Sequence, residues 1–295
     1  MSLWLDMLGT EIRFIQTKNF GRIRIAEAGK KGGTPIIFQH GINGHLEAYA
    51  KNLMALSQQF HVIAFDYVGH GLSDKPIIEF TPPVFAEQLG ELMDALGIER
   101  AHLSGESLGG WVSAFFAAKY PQRVDKLMLN TAAGLPVVSE KGKADLQNLM
   151  ALNERNVGNA PTEASVRARI EWLMHERNQH LVSDELLGLR LGIYLRPETR
   201  VVAPLINALI GRHDEFLIPL ERLTCPTLFL WTLDNPIHDL ACARAAATQV
   251  ADSRVYVMQG DAAHWPQYEV PDEFNAVAAE FFGESTSSFD VIRPT

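Results

Sequence analysis

Between a short apolar run and a stretch with helical periodicity, the chain sets one serine among glycines: Leu103-Ser104-Gly105-Glu106-Ser107-Leu108-Gly109-Gly110. Ala101 to Leu103 suits a buried strand, and Trp111, Val112, Phe115, Phe116 and Ala118 recur at helical spacing after the glycines. A strand that turns this sharply into a helix strains the residue at the bend, and Gly105 and Gly109 remove the side chains that would collide across it. The bend exposes the Ser107 hydroxyl above the sheet edge. It also aims the Leu108 amide, at the helix start, where a carbonyl oxygen would gain negative charge. Ser107 therefore reads as a nucleophile and Leu108 as an oxyanion donor.

With 295 residues, 47% of them hydrophobic, the chain can bury one large core or a core with a subdomain. A formal net charge of -9 without a cluster of Lys and Arg speaks against a nucleic-acid partner. Cys225 and Cys242 match neither a disulfide framework nor a metal-ligand spacing. The first residues, Met1-Ser2-Leu3-Trp4-Leu5-Asp6, lack the basic start and apolar run of a signal peptide, and no run of ~18 uncharged apolar residues occurs. The expectation is a cytoplasmic protein with a small-molecule substrate, no membrane partner, and room for homo-oligomerisation.

Along the chain, residues 12 to 17 and 21 to 28 alternate as an edge hairpin. Strands at 35–39, 61–65, 101–103, 126–130, 226–231 and 254–258 then alternate with helices, which predicts an α/β fold with a mostly parallel sheet covered on both faces. From about 135 to 216 the β-branched runs stop. Leu146, Leu149 and Leu152, then Val166, Ile170 and Leu173, then Leu186, Leu187, Leu189 and Leu191 recur at helical spacing, with breaks at Gly158-Asn159-Ala160-Pro161 and Arg196-Pro197. The expected layout is a core at 1–134, an inserted helical cap at 135–216, the rest of the core at 217–283, and a loose polar tail at 284–295.

A serine hydroxyl needs a base to take its proton. Of ten histidines, His264 lies just past a late strand, at the sheet edge that carries Ser107. A carboxylate should orient that histidine, and the order serine, acid, histidine places it between 107 and 264. Asp234, on the loop after the 227–231 strand, is the chosen acid. Asp239 is the rival, since it could cap the next helix. Asn130 occupies the other position from which an acid could act. His40 abuts Gly41 at the first core strand's end and is expected to shape the oxyanion loop.

Residues ~20 to 283 resemble the α/β-hydrolase superfamily in His40-Gly41, Asp66 with Gly69-His70-Gly71-Leu72-Ser73-Asp74, the serine turn and the late histidine. More narrowly, the chain is similar to meta-cleavage-product hydrolases, which split carbon-carbon bonds in 2-hydroxy-6-oxo-2,4-dienoates. The matching segments are Ala263-His264-Trp265-Pro266-Gln267-Tyr268-Glu269, Ser183-Asp184-Glu185-Leu186-Leu187-Gly188-Leu189-Arg190 and Asp272-Glu273-Phe274-Asn275. The resemblance implies cofactor-free hydrolysis by a serine-acid-histidine triad, read here as Ser107, Asp234 and His264. It also implies oxyanion donors at Ile42 and Leu108, and substrate contacts at Arg190, Trp265, Asn43 and His40. Two departures stand out: Glu106 precedes the serine where asparagine is common, and an ungapped alignment puts the family's acid on Asn235. Either the loop is re-registered so that Asp234 acts, or the triad is unusual. Ester, lactone or amide hydrolysis, or a ligand-binding sensor on the same fold, are the rival functions.

Overall fold

The computed structural model describes residues 2–156 and 160–283. Strands β1 (Glu11–Gln16) and β2 (Arg22–Ala28) form the expected antiparallel hairpin, closed by the Thr17 amide donating to the Gly21 carbonyl at 2.9 Å. The remaining strands are β3 (Ile36–Gln39), β4 (Val62–Phe65), β5 (Ala101–Glu106), β6 (Val124–Asn130), β7 (Thr227–Trp231) and β8 (Ser253–Val257). They make an eight-stranded sheet in the order β1-β2-β4-β3-β5-β6-β7-β8. Only β2 runs against its neighbours; every pairing from β4 to β8 is parallel.

Helices cover both faces, which is why β3, β4, β5 and β7 are buried along their whole length and read as apolar runs. Side chains alternate between the two faces. Ile37, Leu103, Leu127 and Phe229 pack under the helices Pro82–Ala95 and Leu108–Lys119, whereas Ile36, Phe38, Met128 and Leu228 pack under Ala50–Leu56 and Pro271–Phe282. The Thr81 side chain accepts from the Val84 amide and caps the Pro82–Ala95 helix, whose first two residues are the prolines that need no partner there. Strand order reverses at β3: its successor β4 lies on one side and β5 on the other. That reversal opens a crevice at the carboxyl ends of β3 and β5.

Between β6 and β7 the described chain is helical, with Glu140–Asn156, Glu163–Leu173, Asp184–Tyr194 and Pro197–Asn207 as its main helices. Leu149, Val166, Ile170, Leu173, Leu186 and Leu187 from these helices share one apolar cluster with Met258 and Trp265 of the core, so the insertion sits on the loops after β8. Ser183 caps the third helix by accepting from the Leu186 amide. Helical spacing then turns Arg190 to the same buried face as Leu186, Leu187 and Ile193. Gly158 and Asn159 of the expected break at 158–161, and the tail at 284–295, lie outside the described residues. Among the described residues no helix is long and apolar enough to cross a membrane.

Candidate active site

Ser107 sits between β5 and the Leu108–Lys119 helix with φ 53° and ψ -113°, a backbone conformation that costs a side-chain-bearing residue about 1–3 kcal/mol. Its surroundings enforce the strain. The Ser107 amide donates to the Asn130 carbonyl at 3.1 Å, and the Ser107 carbonyl accepts from the amides of Trp111 at 3.1 Å and Ala133 at 3.0 Å. The glycines permit the close approach: a Cβ on Gly105 would lie 2.0 Å from the Gly109 carbonyl carbon, and one on Gly109 would lie 2.1 Å from the Gln39 oxygen. Leu108 is the first helical residue, so its amide has no acceptor within the helix.

His264 is brought over this bend by a loop whose backbone is held at several points. Its amide donates to the Leu173 carbonyl of the inserted helices at 2.9 Å, and its carbonyl accepts from the Thr131 hydroxyl at 3.0 Å. Glu269 ties the rest, accepting from the amides of Ala263 at 3.0 Å, Trp265 at 3.1 Å and His175 at 2.7 Å. The segment from Ala263 to Glu269 is thus a self-capped loop that fixes one histidine.

The acid does not stand where it was expected. Asp234 is exposed, with a carboxylate oxygen 3.6 Å from His175 Nε2, because the loop turns its side chain outward. The rival, Asp239, precedes the Leu240–Ala247 helix and its carboxylate accepts from the Ser139 hydroxyl. Asn235 takes the position instead: its Oδ1 lies 3.2 Å from His264 Nδ1 and also accepts from the amides of Ile237 at 3.0 Å and His238 at 3.2 Å. Those two amides fix which end of the side chain is oxygen, so Nδ1 is the donor. Asn235 is 1% exposed, and its Nδ2 has no partner.

On the other side of the ring, His264 Nε2 meets Glu106 Oε1 at 3.0 Å, with both side chains 3% exposed. The second Glu106 oxygen accepts from the Gly41 amide at 2.7 Å. The Nδ1 contact is a hydrogen bond, whereas Glu106 Oε1 stands beside Nε2 as an ion-pair neighbour. Asn235 and Glu106 are the two residues that the sequence reading left out of the site. Each was flagged only as a departure from the family pattern.

Arg190 lies beneath the insertion, 4% exposed, with its guanidinium carbon 4.4 Å above the Trp265 ring. One of its terminal nitrogens donates to the Tyr194 hydroxyl at 3.1 Å, Nε has no partner, and no carboxylate pairs with it among the described residues. Arg169, which the sequence reading passed over, stacks on Trp172 at 4.9 Å and also lacks an ion pair there. Burial, with Arg190 nearby, pushes it down to about 10. Asn43, at φ 58°, donates from its side chain to Asn207 at 2.7 Å, and its carbonyl accepts from Tyr194 at 2.7 Å. It therefore links the loop after β3 to the insertion.

His40 has no nitrogen left for a substrate: Nδ1 bonds the Gly41 carbonyl at 2.7 Å and Nε2 accepts from the Tyr67 amide at 3.2 Å. Burial pushes it down to about 3, which keeps the ring neutral in that role. Ser107, Glu106, Arg190, Trp265 and His264 are all buried, and the cavity beside them, lined by Ala132, Leu135, Ile237 and His238 among others, measures about 20 Å³.

A family profile described as alpha/beta hydrolase fold matches residues 34–271. The chain is 29% identical over 266 residues to the 2-hydroxy-6-oxo-6-phenylhexa-2,4-dienoate hydrolase of Comamonas testosteroni, covering 88% of this chain and 90% of that one. It is 42% identical over 258 residues to the dihydrolipoyllysine-residue acetyltransferase component of the acetoin cleaving system of Pseudomonas putida, covering 86% of this chain but only 64% of that one. Among solved structures, a meta-cleavage product hydrolase from Pseudomonas fluorescens IP01, complexed with acetates, superposes with a TM-score of 0.74 at 26% identity, over 92% of this chain and 97% of that one. Sheet order, strained serine turn, late histidine loop and profile agree: the chain belongs to the α/β-hydrolase fold family.

Proposed function

We propose that this chain is a serine-dependent hydrolase that cleaves the carbon-carbon bond of a 2-hydroxy-6-oxo-2,4-dienoate. The observation that carries the substrate class is Arg190, a buried cation stacked on Trp265, one residue from His264, without a carboxylate to balance it. Leaving a buried charge unpaired is costly, so a site that keeps one suits a ligand that brings the opposite charge. Arginine fits the delocalised anion of a dienolate, since it stays charged when buried and presents a planar fork of donors. The 2-hydroxy-6-oxo-6-phenylhexa-2,4-dienoate hydrolase among the relatives supports the same reading.

In this mechanism the dienolate end lies under Arg190, and ketonisation of the dienol makes the bond between C5 and C6 cleavable. Ser107 Oγ, or a water held beside it, adds to the C6 ketone while His264 Nε2 takes the proton. The Leu108 and Ile42 amides receive the new oxyanion, each such donor being worth roughly 3 kcal/mol in other systems. Collapse expels the carbon fragment, which takes up a proton and leaves as the 2-hydroxydienoate; the C6 acyl group is released directly as an acid where water added, and by hydrolysis of the acyl-serine with one water where Ser107 added.

A yellow ring-cleavage dienolate mixed with the protein tests the reading by its absorbance. Bleaching at an enzymatic rate, with the acid and the 2-hydroxydienoate as products, supports it. A stable yellow colour together with hydrolysis of simple esters would assign the chain to ester chemistry instead.

A further inference from the structure

We propose that Glu106 is the carboxylate with which Ser107 and His264 work, placed on the Nε2 side of the ring because Asn235 cannot supply a charge on the Nδ1 side. The proposal rests on reading Ser107 as nucleophile and His264 as base. Asn235 does half of an acid's task. Its pinned oxygen accepts the Nδ1 proton and so fixes the ring's orientation and tautomer. Being neutral, it does not balance the charge the ring acquires when it takes a proton.

Other carboxylates nearby are committed or turned away. Asp234 is exposed, Asp239 serves Ser139, and both oxygens of Glu269 accept from backbone amides. Glu106 is therefore the carboxylate in contact with the ring among the described residues, and it is held firmly. Its Oε2 is anchored on the Gly41 amide, which leaves Oε1 fixed 3.0 Å from Nε2. Buried as both groups are, the pair is screened far less than an exposed one.

The proton count closes without Glu106 ever being protonated. As Oγ of Ser107 bonds the carbonyl carbon, the carbon-oxygen π pair moves to the oxygen and the hydroxyl proton moves to Nε2. The imidazolium so formed has the Glu106 carboxylate beside it, with Oε1 3.0 Å from the nitrogen that took the proton. When the leaving atom parts from carbon it takes that proton, and the ring is neutral again. Glu106 thus acts through His264, as a positioning residue that holds the counter-charge.

The test is the rate at which a fluorophosphonate labels Ser107, followed by intact-mass spectrometry, with Ser107→Ala as the unlabelled control and melting curves to check folding. Glu106→Gln keeps the shape and an acceptor for the Gly41 amide but removes the charge, and it should label at least about a hundredfold more slowly, by analogy with other triads that lose their acid. Adding Asn235→Asp moves a carboxylate to the other ring nitrogen. The double variant should recover to within about tenfold of the unmodified protein, a rescue no purely structural role of Glu106 would give.

Labelling of Glu106→Gln at or above the unmodified rate, or a loss that Asn235→Asp does not repair, overturns the proposal. If Glu106→Gln does not fold, Asn235→Asp alone decides: a gain above about tenfold means that the ring lacked a counter-charge and Glu106 was not it, whereas a smaller gain supports Glu106. Absence of label on Ser107 in the unmodified protein overturns the nucleophile reading and this proposal together. A labelled protein indifferent to Glu106→Gln overturns this proposal alone.

Discussion

Two clusters of buried charge sit at the same sheet, and they are built to different standards. Around Arg24, Asp66 bonds Nε at 2.6 Å and a terminal nitrogen at 3.1 Å, while Glu47 takes both terminal nitrogens at 2.8 Å. Asp66 also accepts from the amides of Leu46 and Leu72 at 2.8 Å each, stitching the loop after β3 to the loop after β4. Around Ser107 the cluster stays open among the described residues: Arg190 has no anion, its Nε and the Asn235 Nδ2 have no partner, and the serine backbone is strained. A closed cluster fixes a fold, whereas an open one holds interactions in reserve for something that binds. The contrast separates residues that shape the site from residues that do its chemistry.

Breaking the closed cluster should hit stability hardest. Arg24→Ala strands Asp66 and Glu47 without their cation, and we expect a loss of about 3–5 kcal/mol in denaturant unfolding, with the activity of the remaining folded protein little changed. A loss below about 1 kcal/mol would mean that the two clusters are not so different.

The open cluster should behave in the opposite way. Arg190→Gln removes a cation that no carboxylate among the described residues balances, so its cost should fall on substrate. We expect dienoate cleavage to slow at least about a hundredfold, with less than about tenfold loss on an activated small ester and no loss of folding stability. Equal losses on both substrates would make Arg190 a packing residue.

The smallest effect sharpens the boundary of the site. Asp234→Asn changes an exposed side chain that does not reach His264, and we expect turnover to stay within about twofold. A drop of about a hundredfold would show that the loop after β7 rearranges to present Asp234 during catalysis.

What was legible in the sequence follows from what is local. Gly105 and Gly109 announce the strained turn because only glycine fits those backbone approaches, and alternating strand and helix periods give the layered sheet. His264 could be picked from ten histidines because strand order fixes which loop ends share an edge. The neighbouring acid could not be chosen this way: Asp234 and Asn235 are adjacent, and a single turn decides which points inward. That turn is made by the Ile237 and His238 amides closing on the Asn235 oxygen, a contact that aspartate or asparagine could accept equally. Glu106 was invisible for another reason. Its partners, Gly41 and His264, lie 65 and 158 positions away in sequence, and only the fold brings them together.

The central claim is that this strained serine does the chemistry, and Ser107→Ala measures it most directly when turnover and melting curve are taken on the same sample. The account predicts a fall in hydrolysis of at least about a thousandfold with the melting temperature essentially unchanged. A variant that keeps a tenth of the unmodified rate would contradict it.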